Sequence, residues 1–585
     1  MARAASRLAR FIWILLSLTA AGQQTVPPPV NARTDVAVRM RDGVTLRADV
    51  YRPPDDQKHA VLLSRTPYDK QFAGSICEQI AARGFVCIVQ DVRGRFASDG
   101  DWYPFQNEAN DGYDTVEWAA ALPYSNGKVG MFNGSYVGAT QWLAALAHPP
   151  HLVALQPWVT ASNYYEGWVY QGGALQQWFD QCWTAALAAD NLERLTDRES
   201  FPLGLFPQRP RKLLVALSAI KNDKLAPYYS DWLLHPSYDS YWKSWAIDEH
   251  YSEFNQAVLN VGGWYDVFRD GTIRNFVGMR HHGGNDWARQ HARLVIGPWL
   301  HGVMSSKTGD LEFGASSVVD STELMLDWYD EVLNGKPAKG NPEKPVHIFV
   351  MGTNQWRNED DWPLARTKYT NYYFHSKHGA NRASGDGGLS PDRPKRESAD
   401  IYSYDPSDPV PTVGGNMCCR DDLRASGPFD QREVEARNDV LVYTTPVLEQ
   451  NLEVTGPIVA ETYVSSSALD TDITAKLVDV YPDGRAFNIT DGILRLRYRD
   501  SAELPELLRP DQIYKVKVDL GSTSNVFMAG HRLRLEISSS NYPHFDRNLN
   551  VASSPESGGP LVKATNRIYH DAAHPSSLLL PIIPN

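Results

Sequence analysis

Five short apolar runs, each closed by a polar residue that a buried strand has no need of, constrain this chain more than any other feature. They cover residues 60–63, 85–89, 129–132, 257–261 and 294–296. Each is apolar, most are rich in Val, Leu and Ile, and all are too short for a stable helix, the pattern of a parallel strand buried on both faces. Helix-like stretches such as 136–147 lie between several of them. Strand therefore alternates with helix, which predicts an α/β sheet. Just beyond the runs stand Tyr68, Asp91 with Arg93, Ser135, Asp266 and His301. Reactive groups in such sheets collect past the carboxyl ends of the strands.

The rest of the chain divides around this pattern. Residues 36–51 alternate apolar and polar about Asp42-Gly43, a hairpin signal. From 151 to 250 strand signals are sparse, and Tyr164, Trp168, Leu175, Trp178, Phe179 and Trp183 recur at helical spacing. This predicts a helical cap insertion, either a lid that shapes a pocket or simple additional core. Beyond 341, short alternating segments separated by turns such as Pro482-Asp483-Gly484 predict a β-sandwich of the jelly-roll kind. The expected layout is an α/β core over 23–150 and 251–340, the cap insertion over 151–250, and the β-sandwich over 341–585.

The N-terminus reads as an address. Arg3, Arg7 and Arg10 precede the apolar run 11–18 and the small residues 19–22. This is the layout of a signal peptide over 1–22, and the run is well short of the ~20 residues that span a bilayer. An exported protein, periplasmic or secreted, is the expectation. The net charge of −12 is opposite to that of a nucleic-acid binder. Five cysteines in 585 residues are no disulfide framework. Cys77 and Cys87 read as small core residues, the adjacent Cys418 and Cys419 can close a vicinal ring, and at least one thiol is left over. No Cys or His spacing suits a metal, and no motif calls for a cofactor.

Gly130-Met-Phe-Asn-Gly-Ser135-Tyr-Val-Gly138 lies between a short strand and a helix. A serine on such a turn projects its hydroxyl out of the sheet, and the next backbone N–H is left to bind an oxyanion. The usual Gly-x-Ser-x-Gly spacing is altered: Asn133 stands two before the serine and Gly138 three after it, while Gly134 is the small neighbour. Asp266 then follows one strand and His301 the next. Ser, Asp, His is the chain order of α/β-hydrolases. His301 is expected as the base and Asp266 as the group that orients it. His281, His282 and His291 lie in a polar stretch and read as solvated.

Several stretches together resemble the cocaine-esterase and X-prolyl dipeptidyl peptidase branch of α/β-hydrolases, the CocE/NonD hydrolases. They are Arg65-Thr-Pro-Tyr68-Asp-Lys, Gln90-Asp-Val-Arg-Gly-Arg-Phe-Ala-Ser-Asp-Gly100, Gly127-Lys-Val-Gly-Met-Phe, Ser135-Tyr-Val-Gly138, Gly263-Trp-Tyr-Asp266, Gly297-Pro-Trp299 and Gly414-Gly-Asn-Met-Cys-Cys419. The resemblance spans nearly the whole chain after the export segment. It implies an oxyanion hole made by the Tyr68 hydroxyl and the Tyr136 backbone N–H, with Phe268 beside the acyl pocket. Trp168 and Trp299 are further substrate-binding candidates. Arg93 reads as a structural ion-pair partner, with Asp91 the nearest acid.

The function expected is cleavage of carboxylic esters or activated amides through an acyl-enzyme, on a small-molecule ester, amide or short peptide. Two other readings stand beside it. An X-prolyl dipeptidyl-peptidase-like or α-amino-acid ester hydrolase needs carboxylates to hold a free ammonium group, because a buried charge without a partner is costly. Glu166 and Asp180 are candidates for that role. An inactive carbohydrate- or polymer-binding protein is the third reading, and the altered elbow is the feature in its favour.

Overall fold

The computed structural model describes residues 30–195, 225–339, 344–377, 379–419, 424–553 and 558–584. The expected export segment lies outside them. Ten strands form one sheet: β1 (Asn31–Arg39), β2 (Thr45–Arg52), β3 (His59–Thr66), β4 (Val86–Asp91), β5 (Ser125–Gly134), β6 (Leu152–Trp158), β7 (Ala257–Gly263), β8 (Ala292–Gly297), β9 (Val346–Val350) and β10 (Gln355–Glu359). Their spatial order is β1-β2-β4-β3-β5-β6-β7-β8-β9-β10. Strands β4 to β9 run parallel, and the edge pairs β1–β2, β2–β4 and β9–β10 are antiparallel.

The strand period of two explains why this sheet needs cover on both faces. Val61, Leu63, Val86 and Ile88 enter one apolar core, while their neighbours Ala60, Leu62, Cys87 and Val89 enter another on the opposite side. Helix Tyr136–Leu146 packs on the first face, and helix Ser321–Val332 supplies Met325, Leu326, Trp328 and Tyr329 to the second. The fold is an α/β-hydrolase core followed by a β-rich C-terminal region.

The expected cap insertion opens with a strand, not a helix. Leu152–Trp158 pairs with β5 on one side and β7 on the other, so it belongs to the sheet. Its sequence, LVALQPW, opens with the apolar run Leu-Val-Ala-Leu, the same signal as residues 60–63, but Pro157 and the helical spacing of the aromatics that follow obscure it. Helices Gln177–Leu195, Pro227–Leu234 and Ser240–Lys243 follow. Residues 196–224 lie outside the described part. Beyond 360 the chain forms a second large sheet of 11 strands. Two of them, Asp472–Val480 and Ala486–Arg495, are buried along their whole length.

Two cysteine readings change or sharpen. Cys77 and Cys87 are buried as expected of core residues, but they are joined, tying helix Gly74–Ala82 to β4. Pairing across 10 residues of sequence depends on where the helix lies against the strand, which apolar neighbours do not reveal. Cys418 and Cys419 form a vicinal disulfide, and Cys182 is buried as a thiol.

Candidate active site

Strand β5 ends at Gly134, and helix Tyr136–Leu146 begins two residues later, with Ser135 between them at φ 60° and ψ −129°. This is the strained conformation that pushes a side chain out of a strand-to-helix turn. Its neighbours must be small. A Cβ on Gly134 would sit 2.8 Å from the Cβ of Trp158, and one on Gly138 would sit 2.8 Å from the Cβ of Thr160. Asn133 occupies the place of the usual first glycine at φ 95°, and its Oδ1 accepts from the Gly134 N–H at 2.8 Å. Asn tolerates positive φ better than other side chains because it bonds locally to the backbone. The altered motif therefore still builds the elbow.

His301 lies with its Nε2 3.0 Å from Ser135 Oγ and its Nδ1 2.6 Å from Asp266 Oδ2. Asp266 is fully buried, and its Oδ1 accepts from the Phe268 N–H at 2.6 Å. An ionised carboxylate only accepts, so the imidazole carries its proton on Nδ1 and turns a lone pair at Nε2 toward the serine. Asp266 follows β7 and His301 follows β8, two adjacent parallel strands. Adjacent strand ends are what bring residues 35 apart into contact.

The Tyr68 hydroxyl, from the loop after β3, lies beside the Ser135 side chain and the Tyr136 N–H. It also accepts from Trp183 Nε1 at 2.9 Å. Burial pushes its phenol above the usual value, so it keeps its proton and remains a donor at neutral pH. The Tyr136 side chain points elsewhere, donating to Glu108 Oε1 at 3.0 Å and accepting from the Phe105 N–H at 2.8 Å.

Phe268 and Trp168 come together: their rings stack with centroids 4.5 Å apart, and Phe268 lies edge-on to His301 at 5.4 Å. Phe179 and Trp183 complete the wall, 5.6 Å from Trp168 in each case. Trp299 is not part of it. It packs on the opposite face of the sheet against Trp356, donating Nε1 to the Ser317 carbonyl at 2.8 Å. It is two residues from His301, but the chain turns between them, so the side chains part. Arg93 is not paired with Asp91. It binds Asp111 at 2.6 Å and Asp42 at 2.7 Å, while Asp91 accepts backbone N–H groups of Lys70 and Ala97.

The two acids considered as amine anchors differ sharply. Glu166 accepts from the Gly172 N–H at 3.3 Å and feels Arg274. Asp180 is fully buried on the same helix as Phe179 and Trp183, and neither of its carboxyl oxygens has a hydrogen-bond partner among the described residues. Burial lifts its carboxyl well above the usual range. Trp183 and Phe179 stand at the site without a local mark beyond their four-residue spacing.

Known proteins match nearly the whole chain. Residues 42–303 fit the X-Pro dipeptidyl-peptidase (S15 family) model, and 339–579 fit the X-Pro dipeptidyl-peptidase C-terminal non-catalytic domain. A cocaine esterase of Rhodococcus sp. (strain MB1 Bresler) is 38% identical over 583 residues, covering 94% of this chain and 99% of that one. The chain is a CocE/NonD hydrolase of the S15 family. Among solved structures, an aminopeptidase from a marine sediment Thaumarchaeota archaeon superimposes with a TM-score of 0.82 at 25% identity, covering 97% of this chain and 99% of that one. An α-amino acid ester hydrolase gives 0.79 at 24% identity, with 96% and 98% covered, and supports the fold. As an S15-family member the protein is a serine hydrolase, esterase or dipeptidyl-peptidase-like.

Proposed function

We propose that this protein is an exported serine hydrolase that cleaves carboxylic esters or activated amides through Ser135, His301 and Asp266. The observation that carries the reading is His301 bridging Ser135 Oγ and Asp266 Oδ2, at 3.0 and 2.6 Å. As Ser135 Oγ adds to the substrate carbonyl carbon, its proton passes to Nε2, and Asp266 stabilises the imidazolium that results. The carbonyl oxygen becomes an oxyanion where the Tyr68 hydroxyl and the Tyr136 N–H converge. Collapse expels the alcohol or amine, which takes the proton back from His301. Water then cleaves the acyl-enzyme by the same path in reverse. Phe268 and Trp168, beside His301, are read as the acyl-binding wall.

Supporting this reading against an inactive binding protein, nucleophile, base and acid are joined by hydrogen bonds and the Tyr68 hydroxyl lies beside Ser135. The region beyond 341 is read as a jelly-roll β-sandwich, and residues 1–22 as the signal peptide that sends the enzyme to the periplasm or outside the cell.

A second reading, favoured by Asp180, is an enzyme for acyl groups that bear a free amine. A fully buried carboxyl without partners costs free energy that an ammonium group would offset. The test is kcat/KM on matched esters, one with a neutral acyl group and one with a free α-amine, with Ser135→Ala as control. Faster turnover of the neutral ester supports the first reading, and a ~100-fold preference for the amine, ~2.7 kcal/mol of transition-state binding, the second. Activity surviving in Ser135→Ala would overturn both.

A further inference from the structure

The loop that carries Asp266 is held partly from outside the catalytic module. Asn416 comes from the C-terminal region, 150 residues away in sequence, and its Nδ2 donates to the Asp266 carbonyl at 3.2 Å and the Trp264 carbonyl at 3.3 Å. Its Oδ1 is buried without a partner among the described residues, and the amide is used here for its donors. Arg269 reaches the other way. Its guanidinium donates to the Trp264 carbonyl, and onward to Thr490 Oγ1 at 2.9 Å and the Leu520 carbonyl at 3.0 Å. The Trp264 carbonyl is thus shared by the two seam residues.

Asn416 is itself rigidly mounted. Gly415 and Gly427 exchange two backbone hydrogen bonds, at 2.8 and 2.9 Å, immediately before it. Gly414 and Gly415, at φ 65° and 97°, make the turn that only glycine adopts without strain. Immediately after Met417 the chain is locked by the Cys418–Cys419 bridge. A donor fixed on both sides, aimed at the backbone of a triad acid, fits the design of a supporting shell.

We infer that Asn416 is a positioning residue for Asp266, and that the C-terminal domain thereby sets the alignment of the triad. The inference rests on the Ser135–His301–Asp266 reading. In that reading Asp266 Oδ2 must meet His301 Nδ1 head-on, and small displacements of the loop carrying it are expensive, ~100-fold for ~1 Å.

The test uses the full chain and a small neutral ester, with Asn416→Ala, Asn416→Asp, Asp266→Asn, Ser135→Ala and the double variant Asp266→Asn/Asn416→Ala. Asn416→Ala is expected to lower kcat ~10–100-fold while KM stays within ~3-fold, because Asn416 acts on the backbone carbonyls of Asp266 and Trp264. Asn416→Asp keeps the shape, turns an acceptor on two carbonyls, and is expected to lose as much. Once Asp266 is Asn, removing Asn416 should cost less than ~3-fold, since a residue acting through Asp266 has nothing left to align. An equal loss in both backgrounds would make Asn416 merely structural and overturn the inference. So would full kcat in a folded Asn416→Ala or Asn416→Asp. If Ser135→Ala kept its activity, the triad reading itself would fall; if Ser135→Ala is inert and the Asn416 variants are fully active, only this inference falls.

Discussion

The indole N–H of Trp183 donates to the hydroxyl of Tyr68 at 2.9 Å. Trp183 belongs to helix Gln177–Leu195 and Tyr68 to the loop after β3, 115 residues earlier. By occupying a lone pair of the phenol, the indole leaves the phenolic proton directed to the side where Ser135 and the Tyr136 N–H lie. The helix over the sheet thus takes part in orienting an oxyanion donor, in addition to forming a wall.

Tyr68→Phe is accordingly expected to lower kcat by ~10²–10³, the usual loss for one oxyanion donor. Trp183→Phe keeps an aromatic side chain but removes the indole N–H and frees the phenol to rotate, and a loss of ~3–10-fold in kcat is expected, within the range of one neutral hydrogen bond. Steady-state kinetics on a neutral ester checks both. Undiminished kcat in Tyr68→Phe would remove the phenol from the oxyanion hole.

The elbow predicts its own intolerance. A methyl at Gly138 would meet Thr160 Cβ at 2.8 Å, and Thr160 Oγ1 donates to the Ser135 carbonyl at 2.9 Å. Gly138→Ala should cost ~1–3 kcal/mol of stability through overpacking and also displace Ser135. Thermal denaturation together with kcat would reveal it, and an unchanged Tm and kcat would show that the helix shifts freely.

On the amine-binding reading, Asp180 makes the choice between acyl groups depend on pH. Burial raises its carboxyl, so it is neutral at low pH and must ionise to hold an ammonium group. Below ~pH 7, where the α-amine of the substrate stays charged, the ratio of kcat/KM for amine-bearing over neutral esters is expected to rise with pH in the wild type and to lie flat in Asp180→Asn. Matching pH profiles in the two proteins would leave Asp180 without a part in selectivity.

Asp91 is buried at the end of β4 and burial lifts its carboxyl to about 7, opposed by the Lys70 and Ala97 N–H groups. A folded-state value above the unfolded one means that the group's contribution is intact at low pH and is lost as pH rises from ~4, the unfolded value, through 7. The stability of the wild type relative to Asp91→Asn should therefore decline between pH 4 and 7 and level off above. Denaturant titrations at pH 4, 5.5, 7 and 8.5 would show that decline, or refute it by a constant difference.

The export reading is checked by mass. Protein recovered from the periplasm or medium of a bacterial host should begin at Gln23. An intact N-terminus on soluble, cytoplasmic, active enzyme would discard the signal-peptide reading.

Local patterns sufficed for part of this molecule. A buried parallel strand needs a short run of Val, Leu and Ile whatever surrounds it, so β3, β4, β5, β7 and β8 were legible, and with them the polar residues at their ends. Because parallel strands share one polarity, Ser135, Asp266 and His301 had to emerge on the same edge of the sheet, which is why their order in the chain was informative. Tertiary structure decided what no period of two or 3.6 records. Leu152–Trp158 became a strand because β5 and β7 lie on either side of it, and Trp299 went to the far face because the chain turns before His301. Arg93 passed over Asp91 for Asp111 and Asp42, and Cys77 met Cys87 where a helix crosses a strand. Trp183 reached Tyr68 across 115 residues, and Asn416 reached Asp266 across 150. Such contacts depend on where whole elements dock. Docking is settled by the summed burial of many side chains, which leaves no signature at the few polar residues that end up meeting.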